Sequence, residues 1–215
     1  VSLLLMSPEV TVYRFSFTAS SLRPEMLTLI AQIWLRTSCW DQTKQEVLEN
    51  NVLQCRSAAS AVRLERELRQ RLQSLTENQI QLFEESNLDD RLALAWLAAV
   101  KHSSFLFEFS SEVLRRKIDT HDLVLRVSDY EHFIEEKSAE HPELVELTDT
   151  TTRKIHTVMI RMLREIRILF PGEDLGLIQP PLLPHYVREA ICLDHTKWLA
   201  AFLIPEFEVE ISRVH

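Results

Sequence analysis

The stretch LTDTTTRKIHTVMIRMLREIRIL, from Leu147 to Leu169, decides the fold. Ile155, Val158, Met159, Met162, Ile166 and Leu169 recur at helical intervals and share one side of an α-helix. Arg153, Thr157, Arg161 and Arg164 fall on another side at spacings of three and four. The pattern predicts a helix over 148–169. A helix that buries one side and offers arginines on the other can lie along a phosphate backbone or in a groove. A surface helix with solvated charges has the same pattern.

Charge is unevenly distributed around that stretch. Residues 150–170 carry Arg153, Lys154, Arg161, Arg164 and Arg167 against Glu165. Residues 53–73 carry Arg56, Arg63, Arg66, Arg69 and Arg71 against Glu65 and Glu67. Residues 119–149 hold ten acids against Arg126 and Lys137, and the whole chain has a net charge of −8. Uniform charge of that sign would argue against nucleic acid, so any affinity must come from local patches.

Upstream, Tyr13, Phe15 and Phe17 alternate with Arg14 and Ser16, as in a short strand or an extended packing arm. Ser20 or Ser21 is expected to cap a helix with Pro24 in its first turn, ending near Arg36. Asp41 is expected to cap a second helix. A third is expected from about Ser57 to Leu75, with Ala58, Ala61, Leu64, Leu68, Leu72 and Leu75 on its apolar side. Thr76 and Gln79 have capping-box spacing. Leu92–Val100 is strongly apolar and is expected at the centre of the core, followed by a helix from Phe105 to about Ile118. Leu123–Val127 is read as a strand, Asp129–Ser138 as a helix capped by Ser128, and Leu175–Gln179 as a second strand. Pro171-Gly172 is read as the stop of the arginine-bearing helix. Helices near His185–Leu193 and Lys197–Phe202 close the chain. Trp34, Leu64, Leu68, Leu94, Trp96, Leu97, Phe109, Leu114, Met162 and Ile166 are the expected core.

Two parts of one plan emerge. Residues 23–75 read helix, short helix, long basic helix. Residues 105–179 read helix, strand, short helix, long basic helix, strand, which is the element order of a winged helix-turn-helix. The expected fold is all-α, with two helix-turn-helix-like halves, 1–88 and 89–215, the second winged by a minor two-stranded β element. They share a central helix pair, 90–118.

Much chemistry is excluded. The 215 residues include two glycines, Gly172 and Gly176, too few for a phosphate loop, a dinucleotide fingerprint or a nucleophile elbow. Cys39, Cys55 and Cys192 are widely spaced, as reduced thiols of a cytoplasmic protein would be, and no zinc spacing occurs. His121, Asp122, Asp129, Glu131 and His132 are the densest set of possible metal ligands, but lack an H-E-x-x-H arrangement and read as an acidic solvated face. Glu135 and Glu136 are adjacent on a helix and point apart. Ser103, Ser104, Ser110 and Ser111 have no base at a recognisable spacing. Val1–Met6 is apolar but too short for a signal peptide and lacks a basic leader, and no run approaches a membrane span.

Several stretches together resemble the BrxA family of BREX phage-defence systems. They are Tyr13-Arg-Phe-Ser-Phe-Thr-Ala-Ser-Ser-Leu22, Trp40-Asp41 leading to Asn50-Asn-Val-Leu-Gln54, Arg56-Ser-Ala-Ala-Ser60, Leu94-Ala-Trp96, Phe107-Glu-Phe109 and Glu112-Val-Leu-Arg115. His141-Pro-Glu-Leu144, Thr152-Arg-Lys154, Met162-Leu-Arg-Glu165 and Ile178-Gln-Pro180 complete them. The resemblance runs from about residue 13 to about 205. It implies a compact, mostly helical protein with helix-turn-helix-like parts and a DNA-binding role beside the system's other proteins. It implies no catalytic residues.

The expected function is therefore non-enzymatic binding of double-stranded DNA, mainly through phosphates. The expected contacts are Arg56, Arg63, Arg66 and Arg69 from the first basic helix. From the second they are Thr151, Thr152, Arg153, Lys154, Thr157, Arg161 and Arg164. Arginine suits the task because its planar fork matches phosphate oxygens, and threonines at a helix start can help hold a phosphate. No metal or cofactor is expected, and the chain is read as a monomer. The rival is a protein–protein adaptor within the defence complex that does not touch DNA.

Overall fold

In the computed structural model, residues 12–211 are described, the side chains of Glu210 and Ile211 excepted. The apolar start Val1–Met6 lies outside them. The fold is mainly helical with one small sheet. A 3-10 turn at Ser16–Ala19 leads into helices α1 (Pro24–Thr37), α2 (Trp40–Glu49), α3 (Ala58–Gln73), α4 (Glu77–Glu85) and α5 (Leu88–His102). Next come α6 (Ser104–Glu108), a π-helical segment Phe109–Leu114 and α7 (Arg115–Asp119), which run on as one rod. Strand β1 (Val124–Leu125) precedes α8 (Val127–Ser138), α9 (Pro142–Val145) and α10 (Asp149–Glu165). Strands β2 (Leu169–Phe170) and β3 (Gly176–Ile178) follow, then α11 (His185–Asp194), a 3-10 helix Thr196–Phe202 and α12 (Glu206–Ile211).

Local chemistry accounts for most of these boundaries. Ser57 caps α3 by accepting from the Ser60 N–H at 3.2 Å. Thr76 and Gln79 form the expected reciprocal box at the start of α4. Three expected caps are displaced. Arg23, in the left-handed region, precedes Pro24, so neither Ser20 nor Ser21 caps α1; their carbonyls serve Arg71 instead. Cys39 precedes α2, leaving Asp41 in the first turn. Helix α8 starts earlier than Ser128, with the Asp129 carboxylate accepting the Arg126 N–H at 2.8 Å.

Helix α5 is the centre of the core, as its apolar run predicts: every residue from Ala93 to Val100 is at most 1% exposed. Burial of this kind contributes about 1.5–3 kcal/mol for each large side chain. The Trp96 indole N–H donates to the Ala201 carbonyl at 2.9 Å, tying the C-terminal 3-10 helix to α5. At Ser103 the chain turns by 113° into the rod that starts with α6. Trp34 and Leu64, expected in the core, are half-buried, Trp34 stacking on Trp40. Ala58 is exposed, because the first turn of α3 projects beyond the core. No single helix among the described residues is long and apolar enough to cross a membrane.

Two readings of local structure are decided. Of the two alternatives for the alternation at 13–17, the structure has the packing arm and not the strand. Tyr13 and Phe17 are buried on an arm that ends in the 3-10 turn, and Tyr13 stacks on His141 at 3.6 Å. Nor does α10 run to Leu169. Arg167 adopts φ 63°, and the Arg167 and Ile168 N–H groups donate to the Arg164 and Leu163 carbonyls. This Schellman pair ends the helix before Pro171 is reached and releases Leu169 into a strand.

The sheet accordingly has three strands rather than two, in the order β1-β3-β2 and antiparallel throughout. Val124 pairs with Leu177 and Leu125 with Gly176, the pairing that a winged reading expects between 123–127 and 176–179. Leu169 pairs with Ile178 and Phe170 with Leu177. Gly176 has φ 141°, and a Cβ there would lie 2.3 Å from the Phe170 carbonyl oxygen, so the close hairpin requires glycine.

Candidate functional site

Helix α10 carries the row that dominates the sequence. Ile155, Val158, Met159, Met162 and Leu163 are buried, while Arg153, Lys154, Thr157, Arg161 and Arg164 are exposed on the other side. The Arg153 Nε donates to the Asp149 carbonyl at 3.3 Å, and the Arg164 guanidinium to the Leu175 carbonyl at 3.2 Å. Among the described residues, no carboxylate lies in ion-pair range of Arg153, Lys154, Arg161 or Arg164. Arg161 and Arg164 line a shallow groove with Thr157, Ile160 and Leu175. Leu175 belongs to the β2–β3 turn, whose Glu173 and Asp174 are exposed.

The threonines are engaged locally. Thr148 caps α10, accepting from the Thr151 N–H at 3.3 Å, and its hydroxyl lies 3.0 Å from that of Thr151. Thr152 donates to the Thr148 carbonyl and Thr157 to the Arg153 carbonyl. Their oxygens therefore keep acceptor capacity, and the donors on this face are guanidinium and ammonium groups.

Helix α3 differs. Arg56, in the loop before it, and Arg63 and Arg66 are exposed. Arg69 is 18% exposed at its side chain and pairs with the buried Glu65 at 2.5 Å. Arg71 is fully buried. It donates to Glu67 at 2.8 Å and to the carbonyls of Ser21 and Ser20 at 2.7 and 3.0 Å. Burial draws its proton affinity down, and the Glu67 carboxylate opposes that shift.

The arm connects the two basic helices. Its 3-10 turn packs on both α3 and α10. While Arg71 of α3 holds the Ser20 and Ser21 carbonyls, Glu165 of α10 accepts the Leu22 N–H at 2.9 Å.

The acidic segment is partly neutralised. Lys117 bridges Asp122 and Asp129 at 2.7 and 2.9 Å, and Arg126 adds a contact to Asp122 at 2.8 Å. Hydrogen bonds from Lys117 and then Arg126 hold the Asp122 carboxyl down at about 2. Among the described residues, no three His, Cys, Asp or Glu side chains gather as a metal site would need.

One pair was not legible in the sequence. Tyr130 of α8 and His156 of α10 lie with ring centroids 4.6 Å apart. The Tyr130 hydroxyl and the His156 Nε2 are buried without hydrogen-bond partners among the described residues. Burial pushes the Tyr130 phenol up to about 12 and draws His156 below the ordinary histidine value. A lone aromatic and a lone histidine on different helices carry no spacing signal.

Comparison with known proteins bears on this arrangement. A relative from Paramagnetospirillum magneticum (strain ATCC 700264 / AMB-1), named BREX protein BrxA, is 25% identical over 154 residues, covering 72% of this chain and 77% of the relative. Another of that name, from Bacillus cereus (strain H3081.97), is 24% identical over 150 residues, covering 70% and 75%. The crystal structure of an uncharacterized protein from Magnetospirillum magneticum superposes with a TM-score of 0.74 at 18% identity, covering 90% of this chain and 98% of that one. That likeness establishes a shared fold. The family model described as BrxA matches residues 11–193, most of the chain, and the chain therefore belongs to the BrxA family.

Proposed function

We propose that the chain is a non-enzymatic, double-stranded-DNA-binding component of a BREX phage-defence system, acting in the cytoplasm beside other proteins of that system. It holds DNA mainly through phosphates and with little sequence preference. The observation that carries this reading is the row Arg153, Lys154, Arg161 and Arg164, exposed and without carboxylate partners among the described residues, on a helix whose other side is core. The family membership and the name of the relatives support the defence role.

The element order supports the geometry. A helix, β1, α8, α10 and the β2–β3 hairpin, with strand order β1-β3-β2, correspond to a winged helix in which α10 is the recognition helix and the turn at 171–175 the wing. Helices α1, α2 and α3 pack on one another, which supports reading them as a second, wingless helix-turn-helix. On this reading the halves are 1–88 and 89–215. Arg56, Arg63 and Arg66 extend the contact, and Arg69 and the threonines position it.

A second reading, an adaptor that does not touch DNA, is favoured by one observation. Leu123, Phe170 and Leu177 are 45%, 37% and 43% exposed around the small sheet, with Leu182 nearby at 87%. A contiguous apolar patch suits a protein partner.

An electrophoretic shift titration with plain duplex over a salt series separates the two. DNA binding through phosphates gives a shift at low salt that weakens steeply as salt rises. No shift of plain duplex at low salt would leave the adaptor ahead.

A further inference from the structure

Away from α10, a hollow of about 590 Å³ lies between the N-terminal arm, the corner joining α5 to α6 and the C-terminal 3-10 helix. None of its walls comes from residues 126–179. Its size falls within the range of small-molecule sites, about 300–1,000 Å³. Arg14, Lys101, His102, Phe107, Lys197 and Trp198 are among the residues that line it.

The charges around it do not balance. Lys101 is neutralised by Asp194 at 2.9 Å. Glu108, the one acid in the wall, is taken by Lys137 at 2.7 Å and by the Tyr13 hydroxyl. Arg14 and Lys197 remain, both exposed, and no carboxylate among the described residues lies in ion-pair range of either. In a chain of net charge −8, two uncompensated cations around one concavity form a local well for an anion. The cations adjoin an aromatic part of the wall. Phe107 meets Trp198 edge-on at 5.1 Å, and the Lys197 and Lys101 Nζ atoms lie 4.4 and 5.9 Å from the Trp198 ring centroid.

These parts match a ligand that joins a phosphate to a planar ring. Arginine offers phosphate a fork of donors, and lysine a mobile point charge. When Lys197 turns towards a phosphate it uncovers the Trp198 ring, on which a base can stack. We propose that this hollow binds a nucleoside monophosphate, with its phosphate on Arg14 and Lys197 and its base against Trp198 and Phe107. The site is independent of the basic row on α10.

Isothermal titration calorimetry of the full chain with each of the four common nucleoside monophosphates tests this. At least one should bind saturably at one site, with its nucleoside and inorganic phosphate each weaker by about tenfold or more. The double variant Arg14→Ala/Lys197→Ala should lose about tenfold or more in affinity while its melting curve stays unchanged, since both side chains are exposed. Arg153→Ala/Arg161→Ala/Arg164→Ala should bind the nucleotide as the unaltered chain does. The proposal is overturned by the absence of saturable heat with all four, by inorganic phosphate binding as tightly, or by a double variant of unchanged affinity. Equal loss in the α10 variant would also overturn it, by placing the nucleotide on that helix.

Discussion

Helices α3 and α10 look alike as text and differ as objects. Each presents a polar, arginine-bearing row beside an apolar stripe: Arg63, Arg66 and Arg69 recur every three residues on α3, and Arg153, Thr157, Arg161 and Arg164 at four, four and three on α10. On α10 the arginines form no ion pair with a carboxylate among the described residues. On α3 the row is divided, with Arg63 and Arg66 facing solvent and Arg69 and Arg71 closing on Glu65 and Glu67 one turn back. Spacing alone does not separate the two helices. Glu65 and Glu67 stand four residues before Arg69 and Arg71 on α3, but Asp149 likewise stands four before Arg153 and Glu165 four after Arg161 on α10. The difference is burial: Glu65 and Glu67 are buried and draw their arginines in, whereas Glu165 is engaged by the Leu22 N–H. Counting arginines overstates a binding face wherever such pairs coincide with a buried side.

The largest expected effect would test that division directly. Arg71→Ala leaves Glu67 and the Ser20 and Ser21 carbonyls buried without their donor, and should cost about 3–5 kcal/mol in denaturant unfolding. Arg63→Ala should stay within about 0.5 kcal/mol of the unaltered protein. Equal losses would erase the distinction between the two parts of α3.

Next comes the contrast in DNA binding. Arg153→Ala/Arg161→Ala/Arg164→Ala should weaken every duplex by about a hundredfold, and the salt slope should shrink by roughly 0.9 for each phosphate no longer held. Arg63→Ala/Arg66→Ala should lose about tenfold, having fewer phosphates to give up. A reversed ranking in shift titrations would make α3 the principal binding helix. A smaller change of opposite sign is expected for Glu135→Gln/Glu136→Gln/Glu140→Gln, which removes exposed acids that repel phosphate. Loss of binding in that variant would contradict a phosphate-led interface.

The smallest effect concerns pH. Burial draws His102 and His156 below the ordinary histidine value; Arg71 and Arg14 add to the shift at His102, and Glu67 opposes it. Each contributes stability that is present above about pH 6.5 and lost as pH falls towards its folded value. Asp122, held down at about 2, keeps its contribution through that window. Melting temperature should therefore drop between pH 7.5 and 5.5. Replacing His102 by Asn should flatten the profile from the α3 side, and replacing His156 by Asn from the α10 side. A slope unchanged in both variants would exclude these histidines as its source.

Legibility followed the range of the forces. The buried run of α5, the Ser57 cap, the Thr76–Gln79 box and the buried stripe of α10 are local and could be read directly. So could the pairing of 124–125 with 176–177, because the element order required it. Strand β2 could not, since α10 is ended by a left-handed arginine where glycine is the usual signal. The role of Arg71 was also hidden, because its acceptors Ser20 and Ser21 lie 51 and 50 residues away on the arm. Of the expected contacts, the exposed arginines of α10 could be found by periodicity. The engagement of Thr151, Thr152 and Thr157 depends on rotamers that no spacing reveals.

The arm has a consequence for how the chain acquires its structure. Its closing bonds are long-range: Tyr13 to Glu143 spans 130 residues, and Leu22 to Glu165 spans 143. Helix pairs made of neighbouring segments form quickly, whereas contacts at such separation must wait for the intervening chain to be ordered. During synthesis Leu22 leaves the ribosome long before Glu165 does. The first helices therefore assemble around an arm whose second anchor does not yet exist, and the molecule locks only when its last long helix arrives.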